Sequence, residues 1–275
     1  MAERGSILVI TAALAILLIS LAGGFLYATG VLIGNSGWEE TDAQVFWLAE
    51  AGMQKGIWNL KTPTGSGGQG ENWTTVGTTE NLSGGSYTMV VSRYDFALAA
   101  NGGSASANSS NGANVPANAI DNNAATFWES GSVPSGAAPQ FITITFPNTL
   151  TINKVRFVSP AAANRPRDYT WQVSTNGSAF TTVVTVIGNA VTDVTNTFNA
   201  QSSVNFLRLQ VTRPGTAGNR VRVSTLEAIG SKITSTGTIT VSGNNYTRSV
   251  QGTVVTDDAS PQNQVAYKEP DWIEL

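Results

Sequence analysis

No charged residue occurs between Arg4 and Glu39, and within that gap Ile7 to Leu26 is apolar apart from Thr11, Ser20, Gly23 and Gly24. A helix of about 20 apolar residues spans the roughly 30 Å hydrocarbon core of a bilayer. A segment apolar on every face is not an amphipathic surface helix. Arg4 before the run and Glu39, Glu40 and Asp42 after it place the N-terminus inside and the rest outside. A secretory signal peptide fits poorly, because the run exceeds the usual 7–15-residue apolar region and Tyr27-Ala28-Thr29-Gly30 is a weak cleavage site. A plain signal anchor fits the run taken alone.

Composition excludes most catalytic chemistry. The 275 residues include no His and no Cys. This removes histidine bases, thiol nucleophiles, disulfides and the common zinc sites. Charged residues are 12% of the chain and the net charge is −3, so bulk electrostatics does not favour nucleic acid. The length allows one or two domains.

A second helical stretch runs from Glu39 to about Lys61, with Ala43, Phe46, Trp47, Met53, Ile57 and Leu60 marking an apolar face at three- and four-residue steps. The short leader, the Gly5-Ser6 start, the aliphatic run and Ala49-Glu50-Ala51-Gly52 together resemble type IV pilins, in particular the PilX-like minor pilins. The resemblance implies that a prepilin peptidase cuts after Gly5 and leaves Ser6 as a methylated mature terminus. It also implies that the apolar helix leaves the inner membrane to pack with its copies in a helical filament. One position departs from the family: Ile10 stands where most major pilins carry a Glu. The Gly residues at 23, 24, 30, 34 and 37 weaken a helix by about 1 kcal/mol each relative to Ala.

Beyond Lys61 the pattern turns to strands. Tyr87–Ser92, Thr238–Val241 and Tyr246–Val255 are β-branched and aromatic, with a turn expected at Gly243-Asn244-Asn245. Three strands backed by the 39–61 helix make a small stable sheet, which is the architecture the pilin resemblance implies. Between these strands, about Ala97 to Gly230, lies a run of short strands with Asn-Gly and Pro-Gly turns, which reads as a β-sandwich. Its motifs are Asn118-Ala119-Ile120-Asp121-Asn122-Asn123, Thr126-Phe127-Trp128-Glu129-Ser130, Phe141–Phe146, Lys154–Phe157, Trp171–Ser174, Phe206–Val211 and Leu226–Gly230. In that order they resemble the discoidin, or coagulation-factor (F5/8) type C, domain. This implies an eight-stranded jelly roll with adjacent termini, used for binding glycans and sometimes lipid or protein. The expected fold is therefore α+β: a long N-terminal hydrophobic helix packed on a small antiparallel sheet, with an inserted all-β sandwich. The expected division is a leader at 1–5, a pilin helix at 6–61 (hydrophobic at 6–33), a pilin sheet at 62–96 and 231–275, and a discoidin-like domain at 97–230.

The discoidin resemblance implies a structural Ca²⁺ held by the carbonyls of Asn118 and Asn123, the Asp121 carboxylate and the carbonyl and hydroxyl of Thr126, with Glu227 closing the shell although the family's more regular acid lies where this chain has Thr225. A metal-free Asx-turn is the alternative for the same loop. Asn164, Arg165, Arg167, Asn219 and Arg220 sit on predicted loops at one end of the sandwich and are the candidate ligand-binding residues. Trp128 and Trp171 are expected in the core. No pair of carboxylates is spaced for acid–base work, so no enzyme is expected. The expected function is a subunit of an extracellular type IV pilus-like filament displaying a discoidin-like domain for adhesion or glycan binding, with the assembly machinery as partner. A membrane-anchored glycan-binding protein that does not polymerise and a pseudopilin of a secretion system are the alternatives.

Overall fold

The computed structural model describes residues 20–21, 24–27, 39–257, 264–267 and 273–274. The processing residues Gly5 and Ser6, and Ile10, lie outside the described residues. Of the apolar run, 20–21 and 24–27 are helical.

The first extended element is helix α1, residues 39–61. Strands β1 (Thr75–Leu82) and β2 (Gly85–Asp95) follow as an antiparallel hairpin. Near the C-terminus β10 (Thr225–Val241) and β11 (Asn244–Asp257) form a second hairpin, and β10 pairs with β2 from Thr238↔Ser86 to Ile229↔Asp95. The β10–β11 turn is the two residues Ser242 and Gly243, at φ 52° and 83°, one place earlier than the asparagines suggest. A two-residue turn of type I′ demands left-handed backbone at both central residues.

α1 packs on this sheet through Val45, Ala49, Gly52, Met53, Gly56 and Leu60, all buried. The expected apolar face is thus rotated. Met53 and Leu60 point inward, but Ala43 and Trp47 are exposed, Trp47 at 65%. Small residues chose the face. A Cβ on Gly52 would lie 2.1 Å from Ser235 Oγ and 2.6 Å from the Tyr87 ring, and one on Gly237 of β10 would lie 2.2 Å from the Val45 carbonyl oxygen. At Gly52 and Gly237 helix and sheet approach so closely that no side chain fits between them.

Between β2 and β10 the chain builds a sandwich. Its strands are β3 (Ser104–Ala107), β4 (Trp128–Glu129), β5 (Gln140–Val158), β6 (Pro166–Ser174), β7 (Thr181–Val186), β8 (Asp193–Pro214) and β9 (Arg222–Val223). The sequence segments 141–146 and 154–157 are one strand, β5. β5 and β8 pair along nearly their whole length, with register shifts between Thr145 and Lys154 around Pro147. The first half of β5 pairs with β3 and the second half with β10, and β8 continues to β6 and β7. Trp128, Trp171, Tyr169, Phe157, Ile142, Leu207 and Leu209 fill the interior. Each such side chain contributes about 1.5–3 kcal/mol by leaving water. A second cluster of Ala49, Met53, Leu60, Met89, Val91, Ile233, Val250 and Val254 lies under α1. Strands β12 (Gln264–Tyr267) and β13 (Ile273–Glu274) extend the sheet beside β11.

This corrects the expected α+β fold led by a long apolar helix. Strand makes up 51% of the described residues, which are mostly β-sandwich. Among the described residues no helix is long and apolar enough to cross a membrane. The physical reason is that period-2 segments outnumber helical ones once the insertion is counted. They also do not stay in separate sheets, because β10 serves both: residues 225–228 pair with β5 and residues 229–238 with β2.

The insertion leaves and returns at adjacent register partners, Asp95 and Ile229. Asp95 Oδ1 accepts the backbone N–H of Ala97 at 2.9 Å and of Ala228 at 3.0 Å. Burial pushes the Asp95 carboxyl up to about 6, against the pull of those two N–H groups; Glu227 adds to the rise and Arg93 opposes it.

Two outcomes follow from this packing. Gly237→Ala loses about 1–3 kcal/mol in urea unfolding, because the atom it strikes is helix backbone and cannot swing aside. Asp95→Asn removes a titration. A raised carboxyl pKa gives stability that is present below its ordinary value of about 4 and lost as the pH rises through about 6. Asp95→Asn therefore gains on the parent protein between about pH 4 and pH 7, and parallel stability curves for the two proteins would refute the assignment.

Candidate functional site

At the end of the sandwich formed by the loops before β6 and before β9, a shallow open cleft of about 580 Å³ is lined by Glu129, Gly131, Ser132, Val133, Asn164, Gly218, Asn219, Arg220 and Arg222. Glu129 lies on β4 and Arg222 opposite it on β9, as register partners. The Glu129 side chain is 5% exposed. Arg222 Nε donates to its Oε1 at 2.7 Å, while the amides of Asn111 and Asn114 donate to Oε2, the latter at 3.3 Å. Burial alone would push the Glu129 carboxyl up, but the bonds from Asn111, Arg222 and Asn114 outweigh it and hold it below the ordinary range. The Arg222 guanidinium also stands 4.9 Å above the Phe127 ring, which holds its planar fork in place.

Three predicted ligand-binding residues meet in this cleft. Asn164 ends a turn of 3-10 helix, and its Nδ2 donates to the Arg220 carbonyl at 2.8 Å. Asn219 reaches the Ala163 carbonyl at 3.4 Å. Arg220 Nε donates to the Gly131 carbonyl at 3.1 Å. Two others do not line it. Arg165 ties loops together, donating Nε to the Asn189 carbonyl at 3.0 Å and Nη1 to the Ala162 carbonyl. Arg167 stands beside Asp168, which Arg213 holds at 2.7 Å. Sequence reading missed Glu129 and Arg222. A two-residue strand has too little length to show alternation, but Glu129 is one of only two charges between Ala97 and Asn153, and that rarity was the available signal.

The expected calcium loop is assembled in part. Asp121 Oδ1 accepts the Asn123 N–H at 2.8 Å, and its Oδ2 accepts the Thr126 hydroxyl at 2.6 Å; that hydroxyl also lies 2.9 Å from the Asn123 carbonyl. Asn118 is turned to the carbonyls of Ala113 and Phe127. Glu227 is engaged elsewhere, with Arg93 and, at 3.0 Å, Arg156 Nη1. Arg156 in turn grips Asp193 at 2.6 and 2.7 Å. Within the loop the carboxylate is that of Asp121, and each of its oxygens accepts one hydrogen bond. Among the described residues no group of three or more acidic, His or Cys side chains converges. The Asp121 carboxylate, the Thr126 hydroxyl and the neighbouring carbonyls are oxygen donors of the kind calcium takes, and the bonds within the loop also make the Asx-turn that is its alternative.

Residues 104–226 match the sequence model of the F5/8 type C domain. No curated protein matches the chain significantly. Solved structures similar to it include chitosan-binding module 1 derived from a chitosanase/glucanase of Paenibacillus sp. IK-5, at 26% identity over 50% of this chain and 98% of that one, with a TM-score of 0.43. CpGH89CBM32-5 from Clostridium perfringens, in complex with GalNAc-β-1,3-galactose, is 20% identical over 46% of this chain and 94% of that one, with a TM-score of 0.41. The family 32 CBM from C. perfringens NanJ, in complex with galactose, is 16% identical over 50% and 99%, with a TM-score of 0.43.

The loop analysis gives a direct test. Held as a metal-free Asx-turn, the loop leaves the melting temperature unchanged when chelator is added, while Asp121→Ala lowers stability by about 1 kcal/mol through its lost turn bonds. A chelator-induced drop in the parent that is missing in Asp121→Ala would instead establish a metal in the loop.

Proposed function

We propose that this chain, whose residues 104–226 carry an F5/8 type C domain, is a non-catalytic glycan-binding protein and that the cleft around Glu129, Asn164, Asn219, Arg220 and Arg222 holds the sugar. The observation that carries this reading is the cleft's chemistry. Two guanidiniums, a buried carboxylate and two amides converge on one open volume at the loop end of the sandwich. Vicinal hydroxyls are both donors and acceptors. A carboxylate–guanidinium pair in fixed register offers an acceptor and donors at matching spacing. Glu129 pairs with Arg222, so Arg220 is the cation left to a carboxylate or hydroxyl on the ligand. Glu129 is the one acid lining the cleft. Its lowered pKa suits an acceptor of hydrogen bonds and not a proton donor at neutral pH. This reading displays the sandwich outside the cell.

A second reading concerns the leading segment. Assembly into a filament through the apolar run is favoured by one observation, the outward face of α1, where Trp47 and Trp58 are 65% and 44% exposed. A methylated Ser6 in the mature protein and surface fibres composed of this chain support it; an intact Met1 overturns it.

For glycan binding, Arg220→Ala weakens the best array-selected sugar at least tenfold by calorimetry, while Arg167→Ala, outside the cleft, leaves the affinity unchanged. Sugar binding indifferent to Arg220→Ala would move the site elsewhere.

A further inference from the structure

A second concavity, of about 470 Å³, opens where the sandwich meets the helix-backed sheet. Its volume is in the range of roughly 300–1,000 Å³ typical of small-molecule sites. Its walls come from the 71–74 loop, from Arg93 on β2, from Asn153 and Lys154 on β5, from Thr195 on β8, from residues 229–231 on β10 and from Val254 on β11. No single unit of the chain contains it. It exists because β10 runs through both. It shares no lining residue with the cleft around Glu129.

We propose that this junction cleft is a second saccharide site, taking a neutral sugar of one or two rings. Trp73 supplies the platform. Its side chain is partly buried against the core cluster under α1 and also lines the cleft. An aromatic ring anchored on one side and open on the other presents a rigid apolar face to the C–H face of a pyranose. The polar rim is fixed as firmly. Lys154 Nζ pairs with Glu71 at 2.7 Å, with both side chains under one-fifth exposed at 14% and 18%, and it donates to Asn72 Oδ1 at 2.9 Å. Arg93 is held by Glu227.

The pairing sets the ligand class. Each cation on the wall already has its acid, so an incoming anion meets Glu71 and an incoming cation meets Arg93 and Lys154. A neutral, hydroxyl-rich ligand is opposed by neither. Its hydroxyls both donate and accept, which suits a rim of ammonium, guanidinium, carboxylate and Asn72 amide groups. Two separate sugar sites on one chain would let a glycan or glycan-coated surface be held with avidity beyond either site alone.

The test uses the full chain carrying Arg220→Ala, which removes the cleft around Glu129 from the readout. Saturation-transfer NMR and calorimetry are run with glucose, galactose, N-acetylglucosamine and their β-linked disaccharides. At least one binds the Arg220→Ala protein. Adding Trp73→Ala weakens that binding tenfold or more, and so does Thr195→Trp, which plugs the cleft from an exposed strand position and leaves the core intact. No binding of any probe to the Arg220→Ala protein, or binding unchanged by Thr195→Trp, overturns the junction site. Failure of the Glu129 cleft reads differently: the parent and Arg220→Ala proteins then bind alike.

Discussion

A β-strand satisfies its backbone on two sides at once, and β10 uses both sides to join two cores. Its first four paired residues complete the sandwich against β5, and residues 231–238 lie between β2 and β11. Because the hydrogen bonds continue from Thr225 to Val241, the two units are fastened by backbone rather than by a linker. The junction is sealed by Asp95, whose carboxyl oxygen takes the N–H groups of Ala97 and Ala228, and by the Phe96 N–H donating to the Ala228 carbonyl at 2.8 Å. An unpaired backbone donor buried there would cost about as much as a lost hydrogen bond, so Asp95 stays despite being difficult to ionise.

Electrostatics is organised around the same seam. Arg93, Glu227, Arg156 and Asp193 form a chain of ion pairs across β2, β10, β5 and β8. Their partial exposure limits the energy of each pair, but together they fix where the side chains point on either side of the junction. Glu227 is thereby committed to arginines rather than to the Asp121 loop. At the other end of the sandwich the Glu129–Arg222 pair plays a local version of this role. A nearly buried acid is held by one guanidinium and two amides, which leaves the cleft rim rigid.

The sandwich was readable because alternating apolar residues survive averaging over neighbours. Trp128 and Trp171, expected inside, are both fully buried, and the strand motifs fall where the strands are. The continuity of 140–158 as one strand was not readable. Pro147 and Asn148 look like a terminator in sequence, whereas a bulge lets the ladder resume. The face of α1 was misread for a related reason. Large apolar residues mark a face when packing is loose, but here Ala49, Gly52 and Gly56 set the distance, and Trp47 is excluded from a seam too narrow for it.

The order of residues by itself determined the inserted all-β unit, the absence of histidine and cysteine chemistry, and which loops carry polar side chains, because those depend on local period and composition. Only the tertiary structure decided that Asn164, Asn219 and Arg220 share a cleft with Glu129 and Arg222 while Arg165 and Arg167 do not, and that Glu227 serves a salt-bridge chain. Those outcomes depend on register between residues 67 to 95 positions apart, and register is fixed by the packed cores and not by any local stretch of chain.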